Sequence, residues 1–273
     1  MNIISKILAD KKNQWAELIV SDGKNRFFGA NVDFTVETKI VYLEDTNFRL
    51  SFLIEAIEQN NPEVFIKYVQ WSNSITKARN IPVLKLKNDL KVINETARLL
   101  FPENIYWIIN KHINEGIDSL VKINDPVETY ILPENPLFGE VTAFTRLLLV
   151  GNRKLALELV QKLVSDNTTI VSIYENIFKI SQYEIGLLWQ TNKITVAHEH
   201  YCSAAIQSIM PALYSDIFSA ERNGAKMLAC TIAGDLHEMG IRMLTDYFEL
   251  DGWDTYYLGA NMPDDSIISA AKE

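Results

Sequence analysis

The sequence contains few of the residues on which secreted and redox-active proteins depend. Its 273 residues include only two cysteines, Cys202 and Cys230, which do not form a C-x-x-C pair. A disulfide framework needs several closely spaced cysteines, so this count favours a reducing compartment in which both are small core residues. The N-terminal stretch MNIISKILADKKNQW also lacks the long apolar segment of a secretory signal. We therefore expect a cytoplasmic protein.

Long apolar runs and an excess of positive charge are missing as well. No stretch reaches the roughly 18 consecutive apolar residues that a membrane-spanning helix requires. The formal net charge is −9, whereas a nucleic-acid surface needs clustered lysine and arginine to replace the counterions of the phosphates. The sequence has no helix-turn-helix signature and no basic run. We therefore expect neither a membrane protein nor direct contact with nucleic acid.

The sequence does contain enough apolar residues to form a core, since 48% of it is hydrophobic. Its length predicts two domains, or three small ones. Residues 1–127 repeat apolar side chains at spacings of three and four, as in FRLSFLIEAIEQNN, and predict a helical N-terminal domain of unknown role. Within it we expect Trp71 and Trp107 in the core, His112 on a polar face, and a loop or short hairpin at 22–34.

Three prolines between residues 124 and 140 predict a linker at 128–137. The helical pattern resumes after them, and residues 138–222 are interpreted as four helices joined by short connections. Short connections imply antiparallel neighbours, so the segment predicts a four-helix bundle. Gly151 is a typical helix stop and Thr195 a typical N-cap.

The hydrophobic period changes after residue 222. AKMLACTIAG has the character of a buried parallel strand, EMGIRMLTDYFELDG is helical, WDTYYLG is a second strand, and PDDSIISAAKE begins another helix. This β-α-β-α order is the start of a Rossmann-like (flavodoxin-like) doubly wound sheet. The chain as a whole is therefore expected to be mainly α with α/β. Two strands are too few for such a sheet. We therefore expect residues 223–273 to be the N-terminal part of a truncated cofactor-binding domain, from an incomplete gene product or an imposed boundary.

The segment GDLHEMG, residues 234–240, follows the first predicted strand. Ligands of open α/β sheets bind beyond the carboxyl ends of the strands, so His237 is expected where a ligand binds. Asp235 can accept a hydrogen bond from one ring nitrogen, which fixes the tautomer and favours the other nitrogen as a metal ligand. Gly240 lets a bulky ligand approach the backbone. In the alternative interpretation, Asp235 caps the next helix and His237 is an incidental surface residue.

The pattern D-x-H-x-x-G after a first strand resembles the signature of the cobalamin-binding domain shared by methionine synthase and base-off mutases. The resemblance implies that His237 replaces dimethylbenzimidazole as the lower axial ligand of cobalt, that Asp235 supports it, and that Gly240 lies beside the displaced nucleotide tail. LGANMPDD, which contains Gly259, resembles the second-strand loop that runs under the corrin in that family. The later family motifs, S-x-L and a Gly-Gly pair, do not follow LGANMPDD within the 273 residues.

The segment WQTNKITVAHEH carries a second resemblance, because Trp189 is followed after nine residues by Glu199 and His200. This W-x9-E-H pattern resembles the cap bundle of the light-sensing adenosylcobalamin-dependent repressors, and with the first resemblance it covers about half of the chain, residues 138–273. It implies that Trp189 packs over the upper ligand, that Glu199 lies near the adenosyl group, and that His200 ligates cobalt from above after light removes the upper ligand. Val196 belongs to the same cap segment.

Helical spacing supports a shared ligand-facing surface in this segment, made by Val196, Glu199, His200, Ser203 and Gln207. The small side chain of Ser203 would let a planar macrocycle approach the helix. Taken singly, Trp189 is more often an interface core residue, and Glu199 with His200 a solvated turn. A zinc site is a further alternative: His198 and His200 point about 200° apart, but His198 and Cys202, one turn apart, can share an ion.

These patterns together predict a cobalamin-binding sensor, with adenosylcobalamin or methylcobalamin as its cofactor. The resemblance points to a photoreceptor in transcription regulation, but without a recognisable DNA-binding domain we expect a protein partner or a homo-oligomer as the output, and no enzymatic activity. The first alternative is a corrinoid methyl carrier of a methyltransferase system, which needs an open upper face and so fits the W-x9-E-H pattern less well. The second is a degenerate interaction module that binds no corrin.

Overall fold

The computed structural model describes residues 2–23, 35–121 and 128–272. The chain divides into two compact units. The first comprises Met1–Pro126 with Gln190–Asn192, and the second Val127–Trp189 with Lys193–Glu273. Among the described residues, no helix combines the length and the apolar character needed to span a bilayer.

The described part of the first unit is helical, as the apolar spacing predicted. Its helices are α1 (Ile3–Gly23), α2 (Val36–Glu58), α3 (Glu63–Ala78), α4 (Val83–Leu100) and α5 (Glu103–Ser119). Their apolar stripes form one core, in which Leu50, Leu53 and Ile57 of α2 recur at helical spacing. Buried Trp15 donates its indole N–H to Thr96 Oγ1 at 3.0 Å. The loop or hairpin predicted at 22–34 lies almost entirely outside the described residues.

Three side chains of this unit differ from expectation. Trp107 is 57% exposed and Trp71 is also exposed, so the prediction that both are core residues is wrong. His112 was expected on a polar face but is only 6% exposed, and its Nδ1 lies 2.9 Å from the carbonyl oxygen of Ile108. The helical period explains why His112 is buried and Trp107 exposed on α5. His112 lies two turns after buried Ile105 and shares its face, whereas Trp107 points about 200° away from Ile105.

The second unit contains the four helices expected between residues 138 and 222. They are α6 (Phe138–Leu149), α7 (Arg153–Ser165), a third helix built from α8 (Ile170–Ile173), a π-helical turn (Tyr174–Phe178) and α9 (Lys179–Gln190), and α10 (Val196–Ile209). A 3₁₀ turn (Met210–Leu213) and α11 (Tyr214–Ile217) extend the last of them. The end signals act as predicted: Gly151 follows α6 with φ 76°, and Thr195 accepts a hydrogen bond from the backbone N–H of His198.

The bundle buries a continuous apolar core. Phe144 and Phe178 stack with their ring centroids 5.4 Å apart, and both are fully buried. Burying one such ring contributes about 2–3 kcal/mol. Segment 128–137 is irregular, and its Ile131 and Leu137 pack against this core.

A β-α-β-α segment follows the bundle in the same unit. Strands β1 (Lys226–Ala229) and β2 (Asp254–Tyr257) pair in parallel. Helix α12 (Met239–Leu250) connects them and α13 (Asp264–Ala270) follows. The prediction of a chain that is mainly α with α/β is therefore confirmed.

The first strand is shorter and more exposed than its apolar sequence predicted. Only Ala229 of β1 is buried, since α12 packs on one face of the strand pair. Past β1, the parallel pairing continues as a single bridge between Ile232 and Met262. Gly252 ends the α12 segment with φ 85°, where an added Cβ would lie 2.3 Å from the carbonyl oxygen of Glu221. Only glycine fits this turn.

Candidate functional site

Hydrogen bonds join the two loops that follow the strands. Gly234, with φ 88°, donates its N–H to Asn261 Oδ1 at 2.7 Å. The backbone N–H of Asn261 donates to Thr231 Oγ1 at 2.9 Å, and Thr231 Oγ1 donates to the carbonyl oxygen of Asp235 at 2.6 Å. These contacts fix the backbone of the first loop directly before His237.

Asp235 and His237 form a pair at the outer end of this loop. Asp235 Oδ1 accepts the backbone N–H of His237 at 2.9 Å and lies 3.2 Å from the Nδ1 atom of the same residue. The His237 side chain is 99% exposed, so its Nε2 faces solvent. The backbone N–H, and secondarily the ring, hold the pKa of Asp235 below its usual value.

The capping interpretation of Asp235 does not fit this geometry. Helix α12 begins at Met239, its N-cap residue is Glu238, and no side chain caps it. The Asp235 carboxylate instead turns back onto His237. The loop thus presents an exposed imidazole whose Nδ1 faces a carboxylate, the arrangement that suits Nε2 for metal ligation.

Two glycines leave space near this pair. An added Cβ on Gly240 would meet nothing within 4 Å. Gly259, with φ 86°, lies beside the carboxylate of Glu238, 3.8 Å from the position of an added Cβ. Gly240 is exposed at the start of α12, so its backbone can be approached from solvent.

A second histidine–carboxylate pair lies on α10. His200 Nδ1 is 2.6 Å from Glu199 Oε2, and the His200 ring is 76% exposed. Ser203, one turn further, donates its hydroxyl to Glu199 Oε1 at 2.9 Å. Val196, on the same helical face, is exposed, and Trp189, in the last turn of α9, is half-buried.

The zinc alternative has no support in the part of the chain that the structure describes. His198 Nδ1 lies 2.7 Å from Thr195 Oγ1, and Cys202 is fully buried. Burial raises the pKa of the Cys202 thiol to about 11, which disfavours the thiolate that binds metal. The described residues include no group of three or more histidine, cysteine, aspartate or glutamate side chains that could hold a metal ion. Cys230 is half-buried, in partial agreement with its expected core position.

Direct hydrogen bonds connect α10 to the loop that carries His237. Gln207 Nε2 donates to Glu238 Oε1 at 3.1 Å, and Tyr257 at the end of β2 donates its hydroxyl to Glu238 Oε2 at 2.8 Å. Beside them, Gln182 of α9 donates to the sulfur of Met239 at 3.1 Å. Sequence reasoning assigned no role to Gln182 or Glu238, because both contacts join residues distant in sequence.

Further polar contacts dock the remainder of α12 on the bundle. Tyr174, in the π-helical turn, donates its hydroxyl to buried Asp246 at 2.7 Å, and burial raises the pKa of Asp246. Tyr247 donates to Glu175 Oε1 at 2.9 Å. Because α12 also packs on the strands, these contacts hold the D-x-H-x-x-G loop and the bundle together within one unit.

Comparison with known families supports the resemblance read from the sequence. Residues 141–214 match the family described as the B12 binding domain. The match confirms the similarity to cobalamin-binding domains and supports cobalamin as the ligand. It covers the bundle with its W-x9-E-H segment and ends before the D-x-H-x-x-G loop. No curated protein matches the chain.

Proposed function

We propose that this protein, whose bundle is similar to a B12 binding domain, binds cobalamin between the bundle and the D-x-H-x-x-G loop and acts as a sensor. The observation that carries the proposal is the Asp235–His237 pair. The His237 side chain is 99% exposed and lies in the same unit as the matched bundle. Bound cobalamin would supply a cobalt–carbon bond that light or ligand chemistry can break.

The residues of the lower loop fit the binding of such a group. His237 is the proposed lower ligand through Nε2, because its Nδ1 faces Asp235. Asp235 keeps the ring in the required tautomer. Gly240 leaves space for the nucleotide tail, and Gly259 lies in the second loop beside the carboxylate of Glu238.

The residues of the bundle fit a role on the opposite side. Glu199 orients the ring of His200, which is the proposed upper ligand after the original one is lost, and Ser203 holds Glu199. Trp189 and Val196 contribute apolar surface around the upper ligand. The proposed output is a change of protein partner or of self-association, since the net charge is −9 and the sequence contains no basic run.

The test is an absorbance spectrum of the purified protein with adenosylcobalamin, recorded in the dark and after green light. We expect retained corrin and a stable shift to a bis-histidine spectrum after illumination. The matched variant, His200→Ala, should bind equally in the dark and lose only the illuminated form.

Two other outcomes have separate meanings. Corrin binding without a light-driven shift would reject the photosensor and favour a methyl carrier. No retention of adenosylcobalamin or methylcobalamin by the wild type would reject cobalamin binding itself and leave an interaction module.

A further inference from the structure

The carboxylate of Glu238 connects three elements that surround the proposed cofactor cleft. It belongs to the residue after His237, and it accepts hydrogen bonds from Gln207 on α10 at 3.1 Å and from Tyr257 on β2 at 2.8 Å. All three side chains are half-buried. We call this arrangement the Gln207–Glu238–Tyr257 bridge.

The bridge lies where the two walls of the cleft should be apart. Gln207 shares its helical face with Val196, Glu199 and Ser203, and Glu238 is adjacent to the proposed lower ligand. Carbon atoms in van der Waals contact lie about 3.5 Å apart, so walls that sandwich a planar ring stand about 7 Å apart. A direct contact of 3.1 Å between Gln207 and Glu238 is therefore incompatible with a ring inserted at that point.

We propose that the Gln207–Glu238–Tyr257 bridge is a latch that closes the cleft and opens before cobalamin enters. The inference rests on the proposed function. It adds that α10 and the His237 loop separate locally, with Gln207 releasing Glu238 while Tyr257 retains it. Affinity for the cofactor is then lower than the contacts in the cleft alone would give, because closure competes with binding.

The rest of the interface explains why opening stays local. Tyr174 holds Asp246 and Tyr247 holds Glu175. Asp246 lies eight residues after Glu238, a distance of about 12 Å along a helix. These contacts keep the far part of α12 on the bundle while the end next to Glu238 moves.

The test compares Gln207→Met with the wild type in the rate of adenosylcobalamin association, followed by stopped-flow absorbance in the dark. Methionine keeps the length of the side chain but cannot donate the hydrogen bond. We expect association about fivefold faster, the size expected for losing one half-exposed hydrogen bond to a carboxylate. The dissociation rate should not change, because the bound state lacks the bridge in both proteins.

Tyr247→Phe is the matched control, since it removes a bundle-to-α12 hydrogen bond away from the cleft and should leave the association rate unchanged. A readout without cofactor is amide hydrogen exchange at residues 235–240, which should be faster in Gln207→Met and unchanged in Tyr247→Phe. Wild-type protein that binds while Gln207→Met associates no faster would overturn the latch. A wild type that binds no corrin would instead reject the proposed function.

Discussion

The loop and the helix that face the proposed cleft each carry a histidine–carboxylate pair, but they build it differently. His237 and Asp235 are separated by one residue on a loop, and the backbone N–H of His237 also donates to the carboxylate. His200 and Glu199 are consecutive on a helix, where neighbouring side chains point about 100° apart. The long Glu199 side chain closes that gap, and Ser203, one turn away, holds it.

This difference in construction indicates which of the two histidine rings is held firmly enough to act as a constant ligand. The Asp235–His237 pair is held by backbone atoms and by a loop cross-linked through Gly234 and Asn261. The Glu199–His200 pair depends on side chains alone, and these can rotate away from each other. We therefore expect His237 to be the constant ligand and His200 the one that binds only after the upper ligand is lost.

The largest expected effect separates the two histidines directly. His237→Ala should lower the affinity for adenosylcobalamin in the dark by at least about a hundredfold, because losing a ligand costs more than losing the group that orients it. His200→Ala should leave dark affinity nearly unchanged. Equilibrium titration followed by absorbance measures both. Equal losses in the two variants would contradict the division between a constant and a conditional ligand.

Two glycines of the lower loop sharpen the comparison further. Gly240→Ala should lower cobalamin affinity about tenfold by filling the space beside the pair, while thermal unfolding of the ligand-free protein stays within about 0.5 kcal/mol of the wild type. Gly234→Ala should instead destabilise the ligand-free protein by about 1 kcal/mol, because its φ of 88° is unfavourable for alanine. A Gly240→Ala protein that binds cobalamin normally would show that the ligand does not use this space.

The sequence predicted the local part of this site better than its long-range part. Asp235 and His237 were paired correctly because two residues and a glycine turn suffice to bring them together. The placement of Glu199 and Ser203 on one face of α10 followed from the helical period, and the role of that face in binding a ligand stays a prediction. Glu238 could not be assigned, because its partners Gln207 and Tyr257 are 31 and 19 residues away in sequence. Buried His112 was mispredicted for a different reason: its polar character masked its place in the apolar stripe of α5.

The smallest expected effect is a pH dependence of the Asp235–His237 pair. The pKa of Asp235 is lowered from its ordinary 3.8 by the backbone N–H of His237, so the folded loop favours the carboxylate. The pair therefore stabilises the loop fully above the ordinary pKa, and this contribution is lost as the pH falls through the lowered value. In a nuclear magnetic resonance titration of the ligand-free protein, the His237 amide signal should shift in this acidic range. Asp235→Asn should abolish that shift. It should leave the amide signal of His200 unchanged, because the carboxylate beside His200 belongs to Glu199, which accepts the hydroxyl of Ser203 and makes no contact with the loop amide of His237. A His237 amide that titrates identically in Asp235→Asn would mean that the backbone hydrogen bond is not formed in solution, and the loop would then hold its ring no more firmly than the helix does.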